Sequence, residues 1–356
     1  MTLPLHGSNP TSLYRALSID IPSTYIDFSV NLNPFGMLPS IKEKWTEWIE
    51  EVADYPEPSG KRLKEIIAQR ENVSSEEILL GNGGAEIITL LASYLQRKRV
   101  AIVQPAFIEY EKMCKAYNCK IEHVVLREDH WNDLTEVFSI AKRVDAIFLC
   151  NPNNPTGITY RMEDLQKLMQ VCKQHNCYLI IDEAFYDFVL SPQPIRTYVN
   201  ANSHVITIRS LTKMYSIAGL RLGYLIGPAE IVHELQNIQP PWSVNAIAMK
   251  AGELSLQDDS FAQKTRQYVA NERLRVKEVL IEAGYYVSES EVNFYILRDP
   301  DLTNQLPLIR YLLTNGIVPR HTENFRGLDG RWIRLAIKSK MENEQLINAL
   351  LSWKKL

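Results

Sequence analysis

Residues 209–224 read RSLTKMYSIAGLRLGY and place Lys213 between Ser210 and Arg221, in a stretch rich in small and apolar residues. A lysine buried in such a stretch is costly unless its charge is paired or its amine takes part in chemistry. Ser210 and Arg221 can both donate hydrogen bonds to a phosphate dianion. That setting would lower the pKa of Lys213 and leave a neutral amine able to form a Schiff base. The stretch therefore predicts a reactive lysine beside a phosphate site, and the alternative is an ordinary surface lysine.

This stretch joins the last two of seven short apolar runs that alternate with amphipathic segments. Residues 85–98 and 162–175 have apolar side chains at three- and four-residue spacing, which is typical of helices. Such alternation predicts a mostly parallel sheet covered by helices. The seven runs are EILLGN, RVAIVQP, KIEHVVL, DAIFLCNP, YLIIDEAF, HVITIRS and GYLIGP.

The predicted fold class is therefore α/β, with the seven-stranded sheet in a large domain at residues 40–240. Residues 241–356 contain further strand and helix patterns that indicate a smaller α+β unit. The segment 1–39 could join either unit, and we assign it to the smaller one as an N-terminal arm.

Composition excludes several classes of function. Among the 356 residues, 39 Lys and Arg stand against 42 Asp and Glu without a run of like charge, so neither nucleic acid nor a membrane surface is an expected partner. The chain begins without a signal-peptide pattern and has no long apolar run, so we expect a cytoplasmic protein. Five scattered cysteines predict buried reduced thiols rather than disulfides or a metal site, namely Cys114, Cys119, Cys150, Cys172 and Cys177.

Ligands of open α/β sheets bind at the carboxyl ends of the strands, so the residues that follow each run are candidates. GNGGAE opens a helix whose free amides at Gly84 and Ala85 suit a phosphate, although a simple glycine turn would look the same. NPNNPTG is a rigid turn that could hold the Asn154 amide against a ring. Asp182 ends a buried run and needs a cationic partner such as a protonated ring nitrogen. With Lys213, these groups describe the protein side of a pyridoxal phosphate site.

This set, in this order and across nearly the whole chain, resembles the fold-type I pyridoxal phosphate enzymes of the aspartate aminotransferase superfamily. The resemblance implies that Lys213 bonds to the cofactor, Asp182 pairs with its ring nitrogen and Asn154 bonds its ring hydroxyl. It implies a homodimer with active sites at the subunit interface, where Tyr55 of DYPEPSG reaches the partner's phosphate. It also implies a stacking aromatic ring and a phosphate cradle, formed respectively by Phe107 and by Gly84, Ala85, Ser210 and Arg221.

Within the superfamily the motifs resemble two families, the threonine-phosphate decarboxylases of cobalamin biosynthesis and the histidinol-phosphate aminotransferases. YPEPSG, NPNNPTG and the LTK segment resemble both families. LHGSN, IDFSVNLNPFG, PPWSVNA and HTENFRGLDGRWIRLAIK resemble the decarboxylases. Aminotransferases usually have a tyrosine three residues after the aspartate, and the chain has Phe185 there. The lost hydrogen bond to the ring oxygen should raise the pKa of the lysine–cofactor Schiff base.

The resemblance implies decarboxylation of L-threonine O-3-phosphate to (R)-1-amino-2-propanol O-2-phosphate, with transamination as the alternative outcome. A small phospho-amino acid has two anionic ends, which suits two arginines. Solvent contact at a strand edge or a structural ion pair remains the alternative for both arginines. A ligand-sensing regulator and a silent scaffold are disfavoured, the second because Lys213, Asp182 and Arg221 occur together. The resemblance implies that Arg334 binds the substrate carboxylate, Asn154 also contacts the substrate, and His6, Gly7, Asn31 and Arg320 surround its phosphate.

Overall fold

The computed structural model describes residues 3–191 and 204–356. The strands in the described residues are, in chain order, β1 (Ile26–Asp27), β2 (Ile78–Asn82), β3 (Arg99–Gln104), β4 (Lys120–Val125), β5 (Ala146–Cys150), β6 (Tyr178–Asp182), β7 (Val205–Ser210), β8 (Leu222–Ile226), β9 (Tyr286–Val287), β10 (Phe294–Arg298), β11 (Ile317–Val318), β12 (Arg320–His321) and β13 (Ile333–Ala336).

Helices alternate with these strands through most of the chain. The α-helices in the described residues are Pro10–Ala16, Pro39–Trp48, Lys61–Glu71, Gly83–Tyr94, Ile108–Ala116, Thr135–Ile140, Met162–Gln174, Leu211–Met214, Ala229–Ile238, Ala246–Ser255, Asp259–Glu282, Leu306–Thr314 and Lys340–Trp353. Short 3₁₀ turns occur at Ile49–Val52, Ser75–Glu77, Tyr186–Phe188 and Ala218–Leu220. None of the helices in these ranges is both long and apolar enough to span a membrane.

The central sheet has seven strands in the order β2-β8-β7-β6-β5-β3-β4. Its strands are parallel except β8, which runs antiparallel to both of its neighbours. The seven predicted apolar runs are these seven strands, which confirms the α/β fold class. Every residue of β5 is buried, as expected for a strand covered by helices on both faces.

The first and last runs of the large sheet lie side by side because β8 pairs with β2. Gly223 in β8 lets β7 and the helix after β2 approach closely. A Cβ atom on it would lie 2.8 Å from the Arg209 carbonyl oxygen and 3.0 Å from the Gly84 nitrogen. The helix Gly83–Tyr94 can therefore begin directly against the sheet. Its N-terminus faces the edge at which β6 and β7 end.

A second, antiparallel sheet has four strands in the order β12-β13-β10-β9. Its register places Arg320 of β12 directly opposite Arg334 of β13. The short strand β1 pairs in parallel with β11, so the N-terminal segment is tied to the C-terminal part of the chain. Helix Ala246–Ser255 shares a hydrophobic core with β2 and β8 of the large sheet. The domain boundaries at 39/40 and 240/241 remain a prediction, and residues 192–203 of the predicted large domain lie outside the described residues.

Candidate active site

One cavity of about 410 Å³ lies between the carboxyl ends of the large sheet, the small sheet and the N-terminal segment. It collects residues that are far apart in sequence, as predicted for the carboxyl edge of an α/β sheet. All the predicted site residues except Tyr55 line it, namely His6, Gly7, Asn31, Gly84, Ala85, Phe107, Asn154, Asp182, Ser210, Lys213, Arg221, Arg320 and Arg334.

Lys213 lies in the short helix Leu211–Met214 that follows β7. Burial lowers its pKa to about 8, with help from the positive charges of Arg221 and Arg334 and against the attraction of Asp182. A substantial fraction of the amine is therefore neutral near physiological pH. A neutral amine is the form that attacks a carbonyl group, so the environment suits a nucleophilic lysine.

Asp182 ends β6 with both carboxylate oxygens hydrogen-bonded. The Tyr110 hydroxyl donates to Oδ2 at 2.5 Å, and the Ala184 amide donates to Oδ1 at 2.9 Å. Burial raises the pKa of Asp182, while Tyr110, Ala184 and Lys213 oppose that shift. A buried carboxylate held in this way is suited to pair with a cationic group inside the cavity.

The N-terminus of helix Gly83–Tyr94 and the Arg221 guanidinium form an anion cradle. Gly83 has a φ of +73°, and a Cβ atom on it would lie only 2.6 Å from Nη2 of Arg221. Arg221 itself has a φ of +58° and donates from Nη1 to the Ala218 carbonyl at 3.0 Å. The Ser210 hydroxyl shares a hydrogen bond of 2.8 Å with Thr212 at the same edge. Helix amides, a hydroxyl and a guanidinium together suit a phosphate.

Arg334 connects the small sheet to the NPNNPTG turn. Its Nη1 donates to Oδ1 of Asn154 at 2.6 Å, and its Nη2 donates to the Ser29 carbonyl at 2.8 Å. Burial lowers its pKa to about 10, although the nearby Asp27 acts in the opposite direction. Its Nε has no hydrogen-bond partner among the residues that the structure describes. Because Arg334 occupies the oxygen of Asn154, the amide of Asn154 retains its N–H groups as donors.

Arg320 is only 4% exposed and hydrogen-bonds only to neutral acceptors in the described chain. Its Nη1 donates to the His321 carbonyl at 2.7 Å, and its Nη2 donates at 2.6 Å to both the Leu5 carbonyl and Oδ1 of Asn324. Burial and the charge of Arg334 lower its pKa to about 9. Two buried cations on facing positions of one sheet repel each other, so an anionic ligand between them would be strongly stabilising.

The N-terminal segment covers one side of the cavity. Nε2 of His6 lies 2.9 Å from Oε1 of Glu109, and Gly7 lies so close to Ser29 that a Cβ atom would be 2.6 Å from its carbonyl oxygen. Oδ1 of Asn31 is buried without a hydrogen-bond partner within the described ranges. The segment therefore brings an imidazole ring and an unused amide oxygen to the cavity.

The two aromatic residues predicted to contact the cofactor lie in different environments. Phe107 lines the cavity and packs edge-on against Tyr110, with 6.0 Å between ring centroids. Tyr55 is 82% exposed and packs against the Trp242 ring outside the cavity, with ring centroids 4.8 Å apart. Its predicted role requires a second subunit and stays a prediction.

Sequence reasoning missed three polar residues at the site. Tyr110 follows Phe107 by one helical turn, and that spacing could have identified it. Asn324 lies in the motif HTENFRGLDGRWIRLAIK, four residues after Arg320, which directly precedes that motif. Glu109 is recognisable only from its contact with His6, because that pair is more than 100 residues apart in sequence.

The site combines a lysine, a buried carboxylate and an anion cradle at the carboxyl edge of the large sheet, as expected for a pyridoxal phosphate enzyme. The family model described as aminotransferase class I and II matches residues 23–350, and the chain belongs to this family.

The chain is similar to decarboxylases and to aminotransferases of phosphorylated substrates. The chain is 37% identical over 350 residues to threonine-phosphate decarboxylase of Salmonella typhimurium, covering 97% of this chain and 95% of the relative. Histidinol-phosphate aminotransferase from Clostridium acetobutylicum superposes with a TM-score of 0.87 at 29% identity, covering 92% of this chain and 98% of that chain. L-threonine-O-3-phosphate decarboxylase from Porphyromonas gingivalis superposes with a TM-score of 0.83 at 24% identity, covering 92% and 99%, a likeness that shows the fold alone.

Proposed function

We propose that the chain is a pyridoxal phosphate-dependent decarboxylase of L-threonine O-3-phosphate. The products would be CO₂ and (R)-1-amino-2-propanol O-2-phosphate, which serves cobalamin biosynthesis. The observation that carries this proposal is the pair of buried cations, Arg320 and Arg334, in the same cavity as Lys213. The named activity of the Salmonella typhimurium relative supports the same choice of substrate.

The residues present fit the cofactor. The buried Asp182 carboxylate suits a protonated ring nitrogen, and the Asn154 amide retains a donor for the ring hydroxyl. Lys213 would hold the cofactor through its amine. When bound, pyridoxal phosphate serves as an electron sink for the electrons of the bond that breaks at Cα. The phosphate would be held by Gly84, Ala85, Ser210 and Arg221, and the ring would stack on Phe107.

The two arginines would bind opposite ends of the substrate. Arg334 would bind the carboxylate through its unused Nε, and Arg320 would bind the phosphate together with His6 and Asn31, with Gly7 permitting the approach. Asn154 would contact the substrate from the Arg334 side. Arginines fixed by neutral acceptors before substrate arrives require little reorganisation, so they would set which of the bonds at Cα is presented for cleavage.

Lys213 would then act on protons at Cα. Its pKa of about 8 lies close to physiological pH, so the same amine can accept a proton and return it. In decarboxylation Lys213 would give a proton to Cα in place of the CO₂ that is lost. The neighbouring positive charges of Arg221 and Arg334 keep the amine from holding that proton too tightly.

The functional unit we propose is a homodimer with its active sites at the subunit interface. The exposed Tyr55–Trp242 pair supports this, because an aromatic pair of this size is more stable when a second copy covers it. Tyr55 would then reach the cofactor phosphate of the partner. The domain division at 40–240 and the cytoplasmic location remain predictions.

Histidinol-phosphate aminotransferase is the second candidate. The structural likeness to the Clostridium acetobutylicum enzyme favours it, since the TM-score of 0.87 is accompanied by 29% identity. Its substrate also carries a phosphate. This function would transfer the amino group to 2-oxoglutarate and release no CO₂.

The deciding experiment supplies the cofactor-loaded protein with L-threonine O-3-phosphate and, separately, with histidinol phosphate plus 2-oxoglutarate. We expect CO₂ from the first mixture and no glutamate from the second. L-Threonine without the phosphate is the matched control and should react poorly. Glutamate from the second mixture without CO₂ from the first would replace the decarboxylase proposal by the aminotransferase.

A further inference from the structure

Tyr110 is a fully buried phenol whose hydroxyl is directed at the catalytic carboxylate. It lies in helix Ile108–Ala116, its ring stacks on Phe148 of β5 with centroids 5.3 Å apart, and its hydroxyl donates to Oδ2 of Asp182 at 2.5 Å. The ring is fixed between the helix and the sheet. Neither the phenol nor the carboxylate can turn away from the other without leaving a buried polar group unpaired.

The two hydrogen bonds of Asp182 determine which form of the carboxylate is stable. Oδ2 accepts from Tyr110 and Oδ1 accepts from the Ala184 amide, so both oxygens already face donors. A protonated Asp182 would have to direct its own proton against one of these donors. Burial raises the pKa of Tyr110 well above its ordinary value, so the phenol keeps the proton that it donates. The anionic form of Asp182 is therefore favoured despite its burial.

We propose that Tyr110 is a positioning residue that holds Asp182 ionised and in one orientation, and thereby keeps the ring nitrogen of the bound cofactor protonated. This inference rests on the proposed use of pyridoxal phosphate. Tyr110 would act through Asp182 rather than on the substrate. Its effect should therefore fall on the protonation of the ring and on kcat, and little on KM.

The test uses pyridoxal phosphate labelled with ¹⁵N in the ring, loaded onto the full chain. The ¹⁵N chemical shift distinguishes a protonated from an unprotonated ring nitrogen without any turnover. Wild-type protein should give the shift of the protonated ring, and Tyr110→Phe should move towards the unprotonated value. Asp182→Asn provides the reference for a ring without its carboxylate. Tyr117→Phe, at the C-terminal cap of the same helix, is the matched control and should behave like wild type.

Kinetics give a second readout. A hydrogen bond to a charged group typically contributes about 1.5–3 kcal/mol, so Tyr110→Phe should lower kcat by about tenfold to a hundredfold with KM little changed. A loaded Tyr110→Phe protein with the wild-type ¹⁵N shift and wild-type kcat would overturn the proposal. Equal losses in the Tyr117→Phe control would also overturn it, because the effect would then be structural.

A second replacement covers the case in which Tyr110→Phe does not fold. Incorporation of 3-fluorotyrosine at position 110 keeps the shape of the ring and makes the hydroxyl a stronger donor. It should keep the ¹⁵N shift of the protonated ring, and a move towards the unprotonated value would overturn the proposal. If wild-type protein bonds no pyridoxal phosphate at Lys213, the proposed function fails, and that result is distinct from a failure of the role of Tyr110.

Discussion

Replacement of Arg320 by methionine should separate substrate binding from stability. Burial and the positive charge of Arg334 lower the pKa of Arg320 to about 9. The charge of Arg320 therefore destabilises the fold at neutral pH by on the order of 3–5 kcal/mol. The sign follows from the direction of the shift. The unfolded chain holds this proton more tightly than the folded one, so the penalty is fully present below pH 9 and declines only as pH rises above it.

The substitution removes this charge penalty but also removes three hydrogen bonds, to His321, Leu5 and Asn324. Because the donor is charged, each contributes about 1.5–3 kcal/mol, so together they stabilise the fold by roughly 5–9 kcal/mol. The lost hydrogen bonds partly outweigh the removed charge penalty, so the free energy of unfolding of Arg320→Met should fall by only about 1–4 kcal/mol. Phosphate binding has no such compensation. Loss of two charge-assisted hydrogen bonds worth about 3 kcal/mol together should raise KM for L-threonine O-3-phosphate about 100-fold.

The assay measures initial rates of CO₂ release against substrate concentration, together with thermal unfolding. L-Threonine, which lacks the phosphate, is the control substrate, and its kcat/KM should change little in Arg320→Met. Arg310→Met is a matched control variant, because Arg310 is a half-buried arginine that donates to a backbone carbonyl away from the cavity. A large fall in stability with an unchanged KM would refute the reasoning and make Arg320 a structural cation.

Three further predictions concern the cofactor and the other end of the substrate. The rate at which the apoprotein binds pyridoxal phosphate covalently should rise with pH through a midpoint near 8, since the pKa of Lys213 is lowered to about 8 and only the neutral amine reacts. A rate that does not change with pH would contradict this prediction. Borohydride reduction followed by mass spectrometry should find the label on Lys213. Arg334→Gln should raise KM for L-threonine O-3-phosphate about 100-fold while leaving inhibition by the carboxylate-free product nearly unchanged, and equal weakening of both would remove Arg334 from the carboxylate. Phe185→Tyr should lower the pKa of the lysine–cofactor Schiff base in an absorbance titration, because the new hydroxyl can stabilise the ring oxygen, and a pKa that does not move would show that residue 185 does not contact it.

The large sheet was predictable because buried parallel strands are continuous apolar runs. β5 and β6 are apolar along nearly their whole length, and they end at Cys150 and Asp182, which both line the cavity. The loops that follow them could therefore be predicted to meet before any side-chain contact was known. Local sequence was sufficient for this part of the site.

The pairing of side chains across the cavity was not predictable in the same way. The Leu5 carbonyl and Arg320 are 315 residues apart, and Tyr110 and Asp182 are 72 residues apart. Whether such groups meet depends on strand register and helix rotation, which a single sequence specifies only through the complete packing. The placement of Arg320 directly across from Arg334 also depends on strand register. Both were candidates from the sequence, but only the register of β12 and β13 shows that they face each other.

The position of the two arginines also bears on the choice between decarboxylation and transamination. Both lie on the small sheet and are hydrogen-bonded to neutral acceptors, Arg334 to Ser29 and Asn154, and Arg320 to Leu5. The orientation of a doubly anionic substrate is then set by the small sheet and the N-terminal segment. Lys213 and Asp182, by contrast, belong to the large sheet and serve either reaction equally. A change of reaction should therefore require substitutions around Arg320 and the N-terminal segment, with the lysine and the carboxylate left in place.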